Sequence, residues 1–133
     1  LKVCREKIKL RATMRGKILS GLGQAQYFLV REGYTRQFVE KLGFIPFPGT
    51  LNVLLDEPFP AKQEAIKIEG FAEEGRTFGE CKCYRIKLNG MQAAVVRPER
   101  SRYPPDLIEV IAPVQLRRAL GLDDGDPVDV ILL

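Results

Sequence analysis

The chain has 133 residues, 45% of them hydrophobic, with a formal net charge of +4 and no histidine. That length holds one core rather than two, and that composition belongs to a globular protein rather than a disordered or solenoid one. The missing imidazole excludes histidine as base, relay or zinc ligand, so any chemistry must use hydroxyls, amides, carboxylates, Arg/Lys or a hard metal.

Ile8 to Leu19 reads as a strand interrupted at Gly16, with Ile8, Leu10, Ala12 and Met14 inward and Lys9, Arg11 and Arg15 outward. Residues 1–17 hold seven cations against Glu6 alone, leaving the rest slightly acidic. Alternation explains that spacing without a phosphate-tracking arm. Ser20-Gly21-Leu22-Gly23 is a glycine-bearing loop. Tyr34, Phe38, Val39 and Leu42 are spaced as a helix that stops at Gly43. Pro46 and Pro48 forbid helix over 44–49. Thr50 to Leu55 is a β-branched and aliphatic strand, and Ala65 to Phe71 a weaker one. Thr77 to Leu88 and Met91 to Arg97 flank Asn89-Gly90, a type I′ hairpin signal. Arg97 to Pro105 reads as a loop and Leu107 to Ile111 as a strand broken in polarity by Glu109. A helix is expected from Pro113 through Leu120, ended by Gly121. A turn at Asp123-Asp124-Gly125-Asp126 and a strand from Val128 to Leu133 close the chain.

Strands dominate and their connections are too short for βαβ crossovers, so a small closed barrel is expected rather than a parallel sheet. The longest apolar runs, such as Val130 to Leu133, fall far short of the ~20 residues that cross a bilayer. No secretory segment opens the chain. The sequence starts at Leu1 rather than Met, so the expectation is a cytoplasmic domain, without membrane contact, taken from a longer chain. Of the three cysteines, Cys81 and Cys83 alternate around Lys82 and so share one strand face as small core residues, while Cys4 stands apart. An odd count without a C-x-x-C pair argues against a disulfide framework or a zinc site.

Three segments have chemical potential. The loop Gly21-Leu22-Gly23-Gln24-Ala25-Gln26 follows a strand, and amides freed of Cβ obstruction can cradle phosphate, although a bland turn has the same glycines. Thr50 and Asn52 sit two apart on a predicted strand, so a hydroxyl and an amide oxygen project from one face. Both are hard neutral ligands of the kind Mg²⁺ accepts beside phosphate and water, or else they satisfy turn backbone. Glu109 is a carboxylate within Leu107-Ile108-Glu109-Val110-Ile111, costly to bury without a hydrogen bond and unremarkable if solvated. The upstream arginines Arg97, Arg100 and Arg102 bind phosphate or line a solvated loop.

Ser-Gly-Leu-Gly at 20–23 with Tyr27, Leu-Gly-Phe-Ile-Pro-Phe-Pro-Gly-Thr-Leu-Asn-Val at 42–53, and Asp-Leu-Ile-Glu-Val-Ile-Ala-Pro at 106–113 occur in order with Leu116-Arg117 and Asp124-Gly125-Asp126. From about residue 15 to the end, this pattern resembles the archaeal CTP-dependent riboflavin kinase family. The resemblance implies a mainly β fold, a six-stranded cradle-loop barrel with two short helices. It implies transfer of the γ-phosphoryl of CTP to the 5′-hydroxyl of riboflavin, giving FMN and CDP with Mg²⁺. Residues carried over are Thr50 and Asn52 as metal ligands, and Gly21, Leu22, Gly23, Gln24, Ala25 and Gln26 as the nucleotide loop. Val114, Gln115, Leu116 and Arg117 correspond to a second nucleotide segment, Ser101 and Glu109 to flavin contacts, with Glu109 the catalytic candidate.

Gln24, Ala25 and Gln26 replace an acidic residue, a glycine and a basic residue usual in that family. If Ala25 stands at positive φ, the backbone is strained by about 1 kcal/mol. Some family members carry an upstream winged-helix domain, and residues 1–10 fit a linker from one, with 1–133 otherwise a single barrel domain. The partners implied are riboflavin and CTP, without nucleic acid. The rival readings are a DNA-binding barrel of the transcription-factor type, drawn from the basic start, and a flavin-binding barrel without catalysis.

Overall fold

A computed structural model describes residues 13–20, 29–60, 64–99 and 103–133. Its strands are β1 (Thr13–Leu19), β2 (Leu51–Leu55), β3 (Ile66–Ile68), β4 (Phe71–Glu73), β5 (Arg76–Phe78), β6 (Cys81–Leu88), β7 (Met91–Pro98), β8 (Leu107–Ile111) and β9 (Pro127–Leu132). Helices α1 (Glu32–Leu42) and α2 (Leu116–Leu120) complete the described elements. Six antiparallel strands run in the order β6-β7-β8-β2-β1-β9 and close where β9 pairs with β6. The expected six-stranded barrel with two helices is therefore observed.

Closure depends on β6 sharing one edge between two partners. Its Cys81–Cys83 half pairs with β3 and its Ile86–Leu88 half with β9, while β7 runs along the other edge. Alternation then sorts two apolar clusters to opposite faces of one sheet. Ile18, Val53, Ile86, Val95, Ile108, Val110 and Val130 fill the interior. Tyr34, Phe38 and Leu42 of α1 cover Cys81, Cys83, Ala94, Val96 and Ile111 on the outside. Strand β7 is apolar throughout its middle because both of its faces are covered. Burial pushes the Cys81 thiol up to about 11 and the Cys83 thiol higher still, as befits packing residues rather than nucleophiles.

The four-residue spacing of Tyr34, Phe38 and Leu42 produces α1 as expected, starting two residues earlier at Glu32. Gly43 (φ 84°) ends it, its N–H donating to the Phe38 and Val39 carbonyls. Arg85 reaches from β6 to the Lys41 and Leu42 carbonyls, satisfying the last turn. The Asn89-Gly90 hairpin also forms as expected, with both central residues at positive φ (47° and 84°).

Other expectations need correction. Strand β1 runs through Gly16 without interruption; the glycine is needed because β2 comes too close for a side chain. The expected strand from Thr77 begins at Cys81, because Arg76–Phe78 instead forms a hairpin with β4 across Glu74-Gly75. Glu-Gly is a weak turn signal, since glutamate rarely adopts the φ of 52° found at Glu74. Strand β7 reaches Arg97 as expected and continues through Pro98, which falls within the expected loop. Helix α2 starts at Leu116, leaving Pro113 and Val114 in a bend. Of the basic start, Arg15 and Lys17 are exposed and Met14 packs on the core, as alternation requires; residues 1–12 lie outside the described residues. Among the described residues, no helix is long and apolar enough to cross a membrane.

Candidate active site

Strands β2, β8 and β7 are neighbours, and their register sets Asn52 opposite Glu109 and Glu109 opposite Val96. Since Leu51 and Val53 point into the barrel, Asn52 projects outward. It is nonetheless only 7% exposed, and among the described residues its Oδ1 has no hydrogen-bond partner. An unsatisfied buried acceptor costs about 1–3 kcal/mol. Thr50 directly precedes β2 and is half-buried, two residues from Asn52 as its motif implied.

Glu109 is half-buried on the same outer face. Burial pushes its carboxyl above the ordinary value near 4.5, and a hydrogen bond from the Tyr103 phenol partly opposes the shift. The same burial, with the Glu109 charge, raises the Tyr103 phenol. The carboxylate is thus partnered, as a charge within an apolar strand requires.

The Pro-Phe-Pro-Gly segment ahead of β2 is tied to the end of β8 by a 2.7 Å bond from the Phe47 N–H to the Ala112 carbonyl. This juxtaposition opens a cleft of about 160 Å³ between Phe47, Gly49, Thr50 and Leu51 on one side and Ala112 with Val114 to Arg117 on the other. Two segments far apart in sequence, Thr50 and Val114-Gln115-Leu116-Arg117, therefore meet at one site. Arg117 Nη2 also donates to the Leu19 carbonyl at 3.1 Å and to Asp124, whose other oxygen accepts from Ser20 Oγ. That places Arg117 against the chain just ahead of the glycine loop.

The loop itself, Gly21 to Gln26, and Ser101 lie outside the described residues. Tyr103 and Asp124 were not singled out by sequence reasoning. Asp124 looked like one member of an acidic turn, and Tyr103 ends a loop in which arginines drew attention. Arg97 lies on β7, its Nη1 buried and without a partner among the described residues.

Among the described residues, no group of three or more His, Cys, Asp or Glu side chains is placed to hold a metal. The unsatisfied Asn52 Oδ1 does fit a hard divalent cation, and Thr50, two residues before it and lining the cleft, carries a second neutral oxygen.

Glu109 gives a pH-dependent expectation for the ligand-free chain. With a raised folded value, the native state binds more protons than the unfolded state between about pH 4.5 and that value. Its contribution is therefore favourable at low pH and is lost as pH rises through this window. Glu109→Gln is expected to be more stable than the parent at about pH 8, with the gain gone below about pH 4. Urea melts at both pH values check this, and a variant no more stable at the higher pH contradicts it.

A closed antiparallel barrel with a side cleft and a shielded amide opposite a carboxylate defines a small barrel domain with polar groups held on its outer face. Residues 18–132 match the family model CTP-dep_RFKase, described as a domain of unknown function, DUF120, and the chain belongs to that family. It is 58% identical over 120 residues to a riboflavin kinase of Methanocella arvoryzae, covering 90% of this chain and 56% of that protein. It is 53% identical to a riboflavin kinase of Methanosarcina acetivorans, covering 85% of this chain and 50% of that protein. It is 45% identical to one of Ignicoccus hospitalis, covering 90% of this chain and 70% of that protein. The chain thus spans about half the length of the first two relatives.

Proposed function

We propose that this chain transfers the γ-phosphoryl group of CTP to the 5′-hydroxyl of riboflavin, forming FMN and CDP. The observation that carries this reading is the shielded Asn52 carboxamide, its oxygen unsatisfied, directly across from Glu109. The cleft beside Thr50 and the similarity to riboflavin kinases support it. In the transfer, the riboflavin 5′-oxygen bonds to the γ-phosphorus as the bond to the β,γ-bridging oxygen breaks. That electron pair leaves with CDP, and the hydroxyl proton passes to Glu109 or to water. Such a transition state is loose, so alignment and charge neutralisation matter more than a strong base, which suits a chain without histidine.

In this reading Val114 to Arg117 contact the nucleotide, and the amides of Gly21 to Gln26 cradle its phosphates. Ser101 and Glu109 hold the ribityl chain. Thr50 and Asn52 would hold Mg²⁺, which when bound supplies charge neutralisation at the phosphate oxygens. Main-chain groups near Val114 to Leu116 are suited to reading the cytosine edge, where a few hydrogen bonds discriminate strongly.

Incubating the chain with riboflavin, MgCl₂ and either CTP or ATP, then separating flavins by chromatography, tests the proposal. FMN is expected with CTP, at a rate about tenfold or more above that with ATP. Riboflavin left unchanged by both nucleotides would refute the reading and favour a flavin-binding barrel without catalysis. Salt-sensitive duplex binding in its place would favour the DNA-binding alternative.

A further inference from the structure

Helix α1 turns two rows of side chains toward the barrel. Tyr34, Phe38 and Leu42 cover the outer face of the sheet, while Gly33, Gln37 and Lys41, also spaced by four, lie along the chain from Lys67 to Phe71. Strand β3 stands at the end of the seven-stranded order and, among the described residues, pairs only with β6. Backbone groups of alternate residues point to opposite edges of a strand, so those of Lys67 and Glu69 share the edge turned to α1 and those of Ile66 and Ile68 face β6. Side chains of α1 meet that edge. The Lys67 carbonyl accepts from Lys41 Nζ at 2.7 Å, the Glu69 N–H donates to Gln37 Oε1 at 2.7 Å, and the Glu69 carbonyl accepts from Gln37 Nε2 at 2.9 Å. Further on, Phe71 lies so close to the helix that a Cβ at Gly33 would stand 2.6 Å from its ring. The match of Lys41, Gln37 and Gly33 with Lys67, Glu69 and Phe71 follows from geometry, since four residues of helix rise about 6 Å and two residues of strand about 6.7 Å. The Gln37 carboxamide is also saturated: Nε2 donates to the Gly33 carbonyl at 2.9 Å as well, and Oε1 accepts from Lys41 Nζ at 3.2 Å. Both amide hydrogens and both lone pairs are used, and the two bonds to Glu69 copy those that a neighbouring strand would make.

We propose that this row of α1 is a surrogate strand that closes the β3 edge, and that it keeps the edge from pairing with β3 of a second copy of this chain. An open edge offers unpaired N–H and C=O groups to an extended segment. A second copy is the fitting partner because the edge is complementary to itself. Antiparallel pairing about a two-fold axis at Ile68 sets Lys67 of one copy opposite Glu69 of the other, twice, through the outward backbone groups that Gln37 and Lys41 now occupy. Opposite charges then fall in register without any rearrangement of β3. Two consequences distinguish a plug from residues that merely steady α1. Its removal should expose the outward Glu69 amide and not the Ile68 amide on the β6 side. It should also produce association rather than unfolding.

The test compares the full chain with its Gln37→Ala, Gln37→Ala/Lys41→Ala, Gln37→Glu and Arg36→Ala variants. Alanine is the strongest helix former, so α1 persists in the truncated variants. Arg36 pairs with Glu32 on the solvent side of the same helix and serves as the control. Amide hydrogen exchange is followed residue by residue by NMR, and mass by light scattering over a concentration series. In Gln37→Ala the Glu69 amide is expected to exchange about a hundredfold faster than in the parent, with the Ile68 amide changed by less than about threefold. Gln37→Glu keeps an acceptor for the Glu69 N–H, so its Glu69 amide should stay within about tenfold of the parent. The mass of the double variant should rise with concentration toward about twice the parent value, while that of the parent stays constant. Arg36→Ala should match the parent in both readouts. Unchanged exchange at Glu69 in Gln37→Ala would overturn the surrogate strand. So would an equal acceleration at Ile68 or in Arg36→Ala, a Gln37→Glu variant as exposed as Gln37→Ala, or a Gln37→Ala variant that does not fold, since each marks general support of α1. A double variant whose mass follows the parent's at every concentration would overturn the bar to self-pairing, and Gln37→Ala decides that point if the double variant does not fold.

Discussion

Replacing Asn52 with leucine is expected to reduce FMN formation by about a hundredfold or more while leaving the ligand-free barrel as stable as the parent, or up to about 2 kcal/mol more stable. The two effects share one origin. Asn52 lies on the outer face of β2 at 7% exposure, and its Oδ1 has no partner among the described residues. In the absence of ligand that oxygen has lost its water and gained nothing, whereas leucine has the same branched shape without the unsatisfied atom. With Mg²⁺ and CDP the comparison should reverse, because ligands that bind only the native state raise its Tm. The parent is expected to gain several degrees from Mg²⁺ with CDP and the variant almost nothing. Chemical melts without ligand, thermal melts with it and a chromatographic FMN assay check the three parts. A variant with parental turnover would remove Asn52 from the site, and a strongly destabilised ligand-free variant would show that its oxygen is satisfied after all.

A large loss of stability from a single added methyl group is expected at Gly16. Strand β1 lies between β2 and β9, and a Cβ at Gly16 would stand 2.7 Å from the Leu54 carbonyl oxygen and 2.9 Å from Val53 Cγ1. The first of these is backbone in the next strand of a closed ring, so neither neighbour can move aside without disturbing the barrel. Gly16→Ala is expected to cost about 3 kcal/mol, the upper part of the range for overpacking. At this chain length that corresponds to a Tm lower by about 10 °C. Gly90 is the control. Its Cβ would meet nothing within 4 Å, but its φ of 84° disfavours a side chain, so Gly90→Ala should cost only about 1 kcal/mol. Thermal melts of the two variants rank a steric clash against backbone strain, and equal losses would show that the β1–β2 approach is looser than described.

Much of the architecture was legible because short-range rules sufficed. Asn89-Gly90 announced its hairpin because both residues tolerate positive φ. Tyr34, Phe38 and Leu42 announced α1 because helical spacing gathers them on one face, and Gly43 marked its end. The errors came where tertiary contact overrode a local signal. Gly16 looked like an interruption, yet its lack of a side chain is what allows two strands to pair closely. The β4–β5 hairpin was hidden because Glu74 adopts a conformation its side chain does not favour. The site divides in the same way. Thr50, Asn52 and Glu109 were identifiable as polar groups in apolar surroundings, but Tyr103 was not, since its tie to Glu109 depends on tertiary approach rather than on local spacing.

What the sequence by itself determined was the strand-dominated class, the helix stops at Gly43 and Gly121 and the Asn89-Gly90 hairpin, all set by periodicity and backbone preference over a few residues. What only the tertiary structure decided was register and depth. Period-2 alternation says that Asn52 and Glu109 each leave the barrel interior, but not that they face each other across adjacent strands. It also cannot say that the Asn52 oxygen is cut off from water, or that Asp124 reaches both Ser20 and Arg117. Those facts arise from segments up to about a hundred residues apart being brought together by closure of the ring, where solvent exclusion, a property of the whole packing, decides which polar atoms are left for a ligand.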